Sequence, residues 1–259
     1  MSEARWLLIG SDRRIEETAR LFKAKGLDVT VHLKDEVTNE LTDKIAEIHP
    51  THIVLPIQGL KGILDTQRLP VGTVFFTGII SDIQETELKS AGLFVSSYLK
   101  DERFVWNNAR LTAEGFVKDF YLDTKAPIAN THFQIAGFGR VGRMLAHVLA
   151  AAGAQLTIFA RSEAQLGEAE ALGFEVENLS HDVEFKPGYL VNTIPVQWLE
   201  LQEGDPLRVF DLASKPGCLK PGMTSAYYTL HLGLPGKHFP QRAASYLADT
   251  LLRMCRGKE

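Results

Sequence analysis

The sequence predicts an α/β protein built from two doubly wound parallel sheets joined by a long helix, and three observations carry that prediction. Short apolar runs alternate with helix-period segments along almost the whole chain, the pattern of a parallel sheet covered on both faces. The pattern starts twice, at Arg5–Gly10 and again at Phe133–Ala136, after a break at Lys125–Asn130 that contains Pro127. Between the two halves lies one long helical segment, Asp101–Leu122. The 259 residues allow two cores, because domains typically run to about 100–150 residues.

In the first half, Arg5–Gly10 reads as an apolar strand, Ile15–Lys25 as a helix stopped by Gly26, and Asp28–Leu33 as an alternating strand. Helix Asn39–Ile48, strands Thr51–Ile57 and Thr73–Thr77, helix Ile83–Ala91 before Gly92, and strand Leu93–Ser96 complete it. The long segment offers Phe104, Val105, Leu111, Phe116, Phe120 and Tyr121 for packing. In the second half, strand Phe133–Ala136 passes through a glycine turn into a helix with apolar Val141, Leu145, Val148 and Leu149. Strand Gln155–Ala160, helix Glu163–Leu172 and strands Phe174–Glu177, Tyr189–Asn192, Arg208–Leu212 and Tyr227–Leu232 follow. Gln241–Met254 is a final helix with Ala244, Leu247, Ala248, Leu251 and Leu252 on one face. The expected division is an α/β domain for substrate or partner over 1–108 and a dinucleotide domain with the interdomain helix over 109–239. By analogy with two-domain dehydrogenases, 240–259 is expected to pack back on the first domain.

Composition narrows the class. An apolar share of 45% and a charged share of 23% describe an ordinary soluble protein, and a formal net charge of −4 argues against a nucleic-acid surface. No run approaches the roughly 20 apolar residues that span a bilayer, and the N-terminus lacks a basic start and cleavage site, so a cytoplasmic protein without membrane contact is expected. Cys218 and Cys255 are too few for a disulfide scaffold or a cysteine-based zinc site, and no metal is expected. The one close histidine pair, His49 and His52, reads as surface polar residues between a helix and a strand.

Gly137, Gly139 and Gly142 form G-x-G-x-x-G between a strand and a helix, with Phe138, Arg140 and Val141 in the intervening positions. Gly137 permits a tight turn, Gly139 lets the backbone approach a pyrophosphate, and Gly142 lets the helix pack on the strand. The pyrophosphate then meets free N–H groups at the helix N-terminus. The unit reads as a Rossmann-like dinucleotide site, the alternative being a glycine turn in an ordinary βαβ unit. Where an NAD site usually carries Asp or Glu, roughly 20 residues on, this chain has Arg161 and Ser162, followed by Glu163. A guanidinium and a hydroxyl suit a 2′-phosphate, so NADP is expected, with NAD as the alternative.

In open α/β sheets, ligands bind beyond the carboxyl ends of the strands. Five such segments, Gly10–Arg14, Leu55–Gly59, Asn192–Pro195, Asp211–Gly217 and Gly233–Lys237, combine turn residues with polar donors and are expected to line a common cleft.

Taken together, Leu111-Thr112-Ala113-Glu114-Gly115, the glycine motif, Ala160-Arg161-Ser162, Asn192-Thr193-Ile194-Pro195, Asp211-Leu212-Ala213-Ser214-Lys215-Pro216-Gly217 and Gly233-Leu234-Pro235-Gly236-Lys237 resemble the dipicolinate synthase A-chain family. The match runs from near the N-terminus to the end and is strongest over 107–237. It implies an NADP-binding oxidoreductase subunit for the last step to pyridine-2,6-dicarboxylate, the calcium-chelating acid of bacterial endospores, from a dihydrodipicolinate-type intermediate of the lysine branch. It also implies a flavin-type partner, the second component of dipicolinate synthase, and a homo-oligomer is expected. The chain departs from the family at Cys218-Leu219-Lys220, where another glycine and an acidic turn are usual, and at 238–245. A divergent paralogue acting on another small dicarboxylate, a two-domain reductase, or a non-catalytic NADP-binding scaffold are the alternatives.

The same resemblance adds Thr193, Pro195, Ala213 and Ser214 to the cofactor residues and marks Thr112, Glu114 and Lys215 as catalytic. Arg13, Arg14 and Lys215 are chemically suited to the substrate carboxylates, and Asn108 joins Arg13 and Arg14 as a substrate-binding candidate. Glu114 is the candidate base if burial raises its pKa toward working pH; otherwise it is a surface carboxylate paired with Lys118 at i+4. Asp211 and Lys215 equally suit structural caps of their loop.

Overall fold

A computed structural model describes residues 4–180, 183–202 and 204–256. The chain forms two compact units, one of residues 1–108 with 235–259 and one of 109–234. Both are parallel α/β sheets, and the fold is a pair of Rossmann-like doubly wound domains with a long helix running from one into the other.

In the first unit, strands β1 (Arg5–Ile9), β2 (Asp28–His32), β3 (His52–Val54), β4 (Val74–Thr77) and β5 (Phe94–Ser97) lie in the order β2-β1-β3-β4-β5. Helices α1 (Arg13–Ala24), α2 (Asn39–Ile48) and α3 (Asp82–Ser90) connect them. Such an order places its switch point between β1 and β3. One face packs Trp6, Leu8, Ile15, Phe22 and Phe76 into a core, and the other packs Leu7, Ile9, Leu41, Ile53 and Phe75. Successive residues of β1 serve opposite faces, as strand alternation requires.

Strand β3 is shorter than the predicted Thr51–Ile57. After Val54 the chain leaves the sheet, and Ile57 accepts the Ile79 N–H through its carbonyl at 2.8 Å. A Cβ on Gly78 would lie 2.4 Å from that carbonyl, so glycine is required by the close approach of the two loops. His52 is not a surface residue of a histidine pair. It is half-buried, and its ring stacks on Trp6 at 4.5 Å.

The last helix of the first unit, α8 (Pro240–Arg256), buries Leu247, Ala248 and Leu251 against Ile15, Ala19 and Phe22 of α1. Arg253 holds Asp101 at 3.0 Å, and together with the Phe104 N–H it keeps the Asp101 carboxyl below the usual range against the upward push of burial.

Helix α4 (Glu102–Thr124) begins in the first unit and continues into the second. There, β6 (His132–Ala136), β7 (Gln155–Ala160), β8 (Glu175–Asn178), β9 (Gly188–Asn192), β10 (Leu207–Asp211) and β11 (Tyr228–Leu230) lie in the order β8-β7-β6-β9-β10-β11. This is the 3-2-1-4-5-6 order of dinucleotide-binding sheets, with the switch point between β6 and β9. Helices α5 (Arg140–Ala151) and α6 (Glu163–Ala171) link β6 to β7 and β7 to β8. Phe116, Phe120, Phe133 and Phe210 form an aromatic core with edge contacts of 4.9–6.3 Å. The segment expected as a loop at Gly233–Lys237 contains a short helix, α7 (Leu234–His238); Pro235 sits at its second position, where its missing N–H costs nothing. Among the described residues no helix is long and apolar enough to cross a membrane, and no group of three or more His, Cys, Asp or Glu could hold a metal.

Candidate functional site

The glycine motif of the second unit sits at the switch point, each glycine in a distinct role. Gly137 has φ +93°, and a Cβ there would lie 2.5 Å from Thr193 Oγ1. Gly142 is a packing residue, because a Cβ would come within 2.0 Å of the Gly137 carbonyl oxygen. At Gly139 a Cβ would meet nothing within 4 Å. Gly139 is also the N-cap of α5 and supplies no side-chain cap to the first N–H groups of the helix. Open space and uncapped donors together fit a pyrophosphate.

Not all motif positions contribute side chains. Phe138 is fully buried in the core, with the Arg143 guanidinium 5.6 Å from its ring centre, so only its backbone can face a ligand. Arg140 is exposed at the first turn of α5 and Val141 is half-buried. Thr193 holds the turn from the β9 side, its hydroxyl donating to the carbonyls of Ala136 at 3.0 Å and Gly137 at 3.2 Å. Pro195 is exposed beyond it.

Arg161 follows β7 and is exposed on the rim of a cavity of about 490 Å³. Its wall includes Ile194, Val196 and Trp198 from the loop after β9, with Phe185 alongside. Such a mixed apolar and cationic hollow between the ends of β7 and β9 has the size and lining of a small-ligand pocket. Ser162 caps α6 by position but makes no side-chain cap bond, which leaves its hydroxyl uncommitted to the helix. Ser180 and Lys220 also line the cavity and are not evident as site residues in the sequence, since they come from loops without motif character.

The loop Asp211–Gly217 is folded around one carboxyl group. Asp211 is fully buried and accepts from Asn192 Nδ2 at 2.7 Å, the Ala213 N–H at 2.9 Å, the Cys218 N–H at 2.5 Å and the Tyr228 hydroxyl at 2.7 Å. Burial and the Asp211 charge push the Cys218 thiol and the Tyr228 phenol well above their ordinary ranges. Gly217, at φ +87°, leaves room for the Tyr228 hydroxyl, which a Cβ would approach to 2.3 Å. Cys218 is not among the residues with positive φ, and its buried side chain packs with Ala136, Leu190 and Val209, so a non-glycine residue is accommodated at this departure from the family. Ala213 is buried, Ser214 is half-buried with its carbonyl accepting the Gly217 N–H, and Lys215 is exposed next to the cis Lys215–Pro216 bond.

On α4, Thr112 is buried, whereas Glu114 keeps a side chain 40% exposed and pairs with Arg110 at 3.0 Å. The surface partner is therefore Arg110 one turn earlier, not Lys118. In the first unit Arg14 is 5% exposed, and its Nη2 reaches Asp12 at 2.6 Å while its Nη1 donates to Asn108 at 3.0 Å. Arg14 and Asn108 thus come together, with the Arg14 charge already met by a carboxylate. Arg13 beside them is exposed.

No protein-family model matches the chain. Over 95% of its length and 94% of the relative's, the chain is 26% identical to the dipicolinate synthase A chain of Bacillus subtilis (strain 168). Its structure is similar to that of the dipicolinate synthase A chain of Bacillus subtilis, with a TM-score of 0.75 and 22% identity over 100% of this chain and 99% of that one. The corresponding dipicolinate synthase A chain of Bacillus halodurans gives a TM-score of 0.70 with 24% identity, covering 97% of each chain. The similarity therefore extends along nearly the whole chain, and the fold is shared.

Proposed function

We propose that this chain is an NADP-dependent oxidoreductase of the dipicolinate synthase A-chain type, forming pyridine-2,6-dicarboxylate from a dihydrodipicolinate-type intermediate of the lysine branch. The observation that carries the reading is the uncapped α5 N-terminus at Gly139, together with Arg161 on the rim of the neighbouring cavity. Bound NADP supplies the hydride acceptor. The N–H groups of α5 hold its pyrophosphate, and Arg161 with Ser162 binds the 2′-phosphate through charge-assisted hydrogen bonds. Thr193, Pro195, Ala213 and Ser214 fix the remaining contour.

For the substrate, Lys215 of the second unit is an exposed cation suited to a carboxylate; in the first unit Arg13 is likewise exposed, and Arg14 orients Asn108 rather than binding alone. Glu114 takes the proton lost as the ring aromatises, exchanging its Arg110 pairing for the substrate, and Thr112 is the second α4 residue of the proposed catalytic set. A flavin-type partner protein, a homo-oligomeric assembly and a cytoplasmic location belong to the same proposal. A non-catalytic NADP-binding scaffold is the second reading, favoured by the prior pairing of Glu114 with Arg110 and of Arg14 with Asp12.

The test is NADP reduction by the full chain given the product of the aldolase-type enzyme of the lysine branch, with and without the flavin-type partner. Turnover that falls more than about tenfold in Glu114→Gln and in Lys215→Met, with NADP affinity nearly unchanged, is expected. No turnover under any of these conditions, with NADP still bound, leaves the scaffold.

A further inference from the structure

Asn192 and Asp211 are register partners on β9 and β10, both fully buried, and their side chains meet at 2.7 Å. Each then reaches a different loop. Asn192 Oδ1 accepts the Ile194 N–H at 3.1 Å and the Trp198 indole N–H at 3.3 Å, while its Nδ2 also donates to the Ile194 carbonyl at 3.0 Å. Asp211 gathers Ala213, Cys218 and Tyr228. A second link closes the ring, because the Cys218 carbonyl accepts the N–H groups of Trp198 and Leu199, both at 2.8 Å. Trp198 and Ile194 line the cavity beside Arg161, whereas neither Asn192 nor Asp211 does. A buried polar network in which every member is satisfied has one low-energy arrangement, and losing one partner leaves the others unpaired.

We propose that Asn192 and Asp211 are positioning residues that lock the Trp198 wall of the cavity to the Ala213–Cys218 loop, so that affinity for a nucleoside 2′-phosphate depends on a carboxyl group outside the cavity. The binding half of this inference rests on the proposed NADP site. The coupling half does not.

Both halves are tested on the full chain with Asp211→Asn, which keeps the shape but sets an amide N–H against the Cys218 N–H, and with Asn192→Ser, which withdraws the acceptor from Trp198. The first readout needs no ligand: the indole ¹⁵N–H resonance of Trp198, assigned by its loss in Trp198→Phe. It should move and exchange faster with solvent in both variants, and stay unchanged in Tyr228→Phe, which removes only one outer bond of Asp211. The second is titration with adenosine 2′,5′-bisphosphate, whose affinity should fall about tenfold in both variants, the weight of one to two hydrogen bonds. A role confined to stability would lower the melting temperature and leave the affinity of the folded variant unchanged. An unperturbed Trp198 resonance in either folded variant overturns the coupling. Should Asp211→Asn not fold, Asn192→Ser decides it through the backbone N–H resonance of Cys218, which Asn192 reaches only by way of Asp211 and which should move; an unmoved Cys218 resonance overturns the coupling. Absence of binding to the unmodified chain defeats the NADP site instead, while the resonance still decides the coupling.

Discussion

In the first unit the helix after the opening strand begins at Asp12, whose carboxylate accepts the Arg14 N–H at 2.9 Å and pairs with the Arg14 guanidinium. The backbone at Gly236 also passes so close that a Cβ there would lie 2.2 Å from Asp12 Oδ1. In the second unit the helix in the same topological place begins at Gly139, with no side-chain cap and open space where a Cβ would be. Both sheets have a switch point beside this turn, and both helices carry the same positive dipole end. The first has its own carboxylate on that end, whereas the second has no side-chain cap and no acidic residue in its first turn. Two doubly wound sheets with the same topology at this point therefore differ in what their opening turns leave free for a ligand.

The largest effect should come from breaking the second turn's packing. Gly142→Val places carbon against the Gly137 carbonyl and should unfold the second unit, a loss above about 4 kcal/mol read by thermal unfolding and soluble yield. A folded, normally stable variant would mean the turn can relax.

Cofactor choice comes next. Arg161→Asp should lower the preference for NADP over NAD by about tenfold to a hundredfold, one charge-assisted phosphate contact, as measured by paired calorimetric titrations. Equal affinities of the unmodified chain for both dinucleotides would remove Arg161 from the 2′-phosphate.

A smaller and opposite result is expected in the first unit. Asp12→Ala should cost roughly 1–3 kcal/mol, through the lost cap and the stranded Arg14, while NADP affinity stays the same. Weakened NADP binding in a folded variant would erase the contrast between the turns.

The two units should also part on the pH axis. Burial lowers the pKa of His32 in the first unit, so its contribution is present above the ordinary imidazole value of 6.5 and is lost as pH falls through the lowered one. In the second unit Cys218 and Tyr228 are raised, so their contribution is intact below their ordinary values of 9.0 and 10.0 and is lost as pH rises beyond them. Peptide-resolved hydrogen exchange should show the first unit loosening first in acid and the second in alkali. The same unit failing first at both ends would contradict this.

Much of this is legible in the sequence. The periodic segments identify both sheets, and the roles of Gly137 and Gly142 follow from the need for a turn and for close packing. Gly10–Arg14 reads as a ligand loop, because Ser-Asp-Arg-Arg offers donors and acceptors alike; that Asp12 spends its carboxylate on its own helix is visible only once α1 is in place. The pairing of Asn192 with Asp211 is hidden for a related reason, since strand register, not chain distance, brings them together. The cavity wall at Trp198 depends on that pairing and is hidden with it.

The most direct test is calorimetric titration of NADP into Gly139→Val, beside its thermal unfolding curve. The added side chain enters space the protein itself leaves open, so the variant should melt as the unmodified chain does and bind no detectable NADP. Undiminished NADP binding by a folded Gly139→Val would contradict the account, because the dinucleotide would then lie away from the α5 N-terminus.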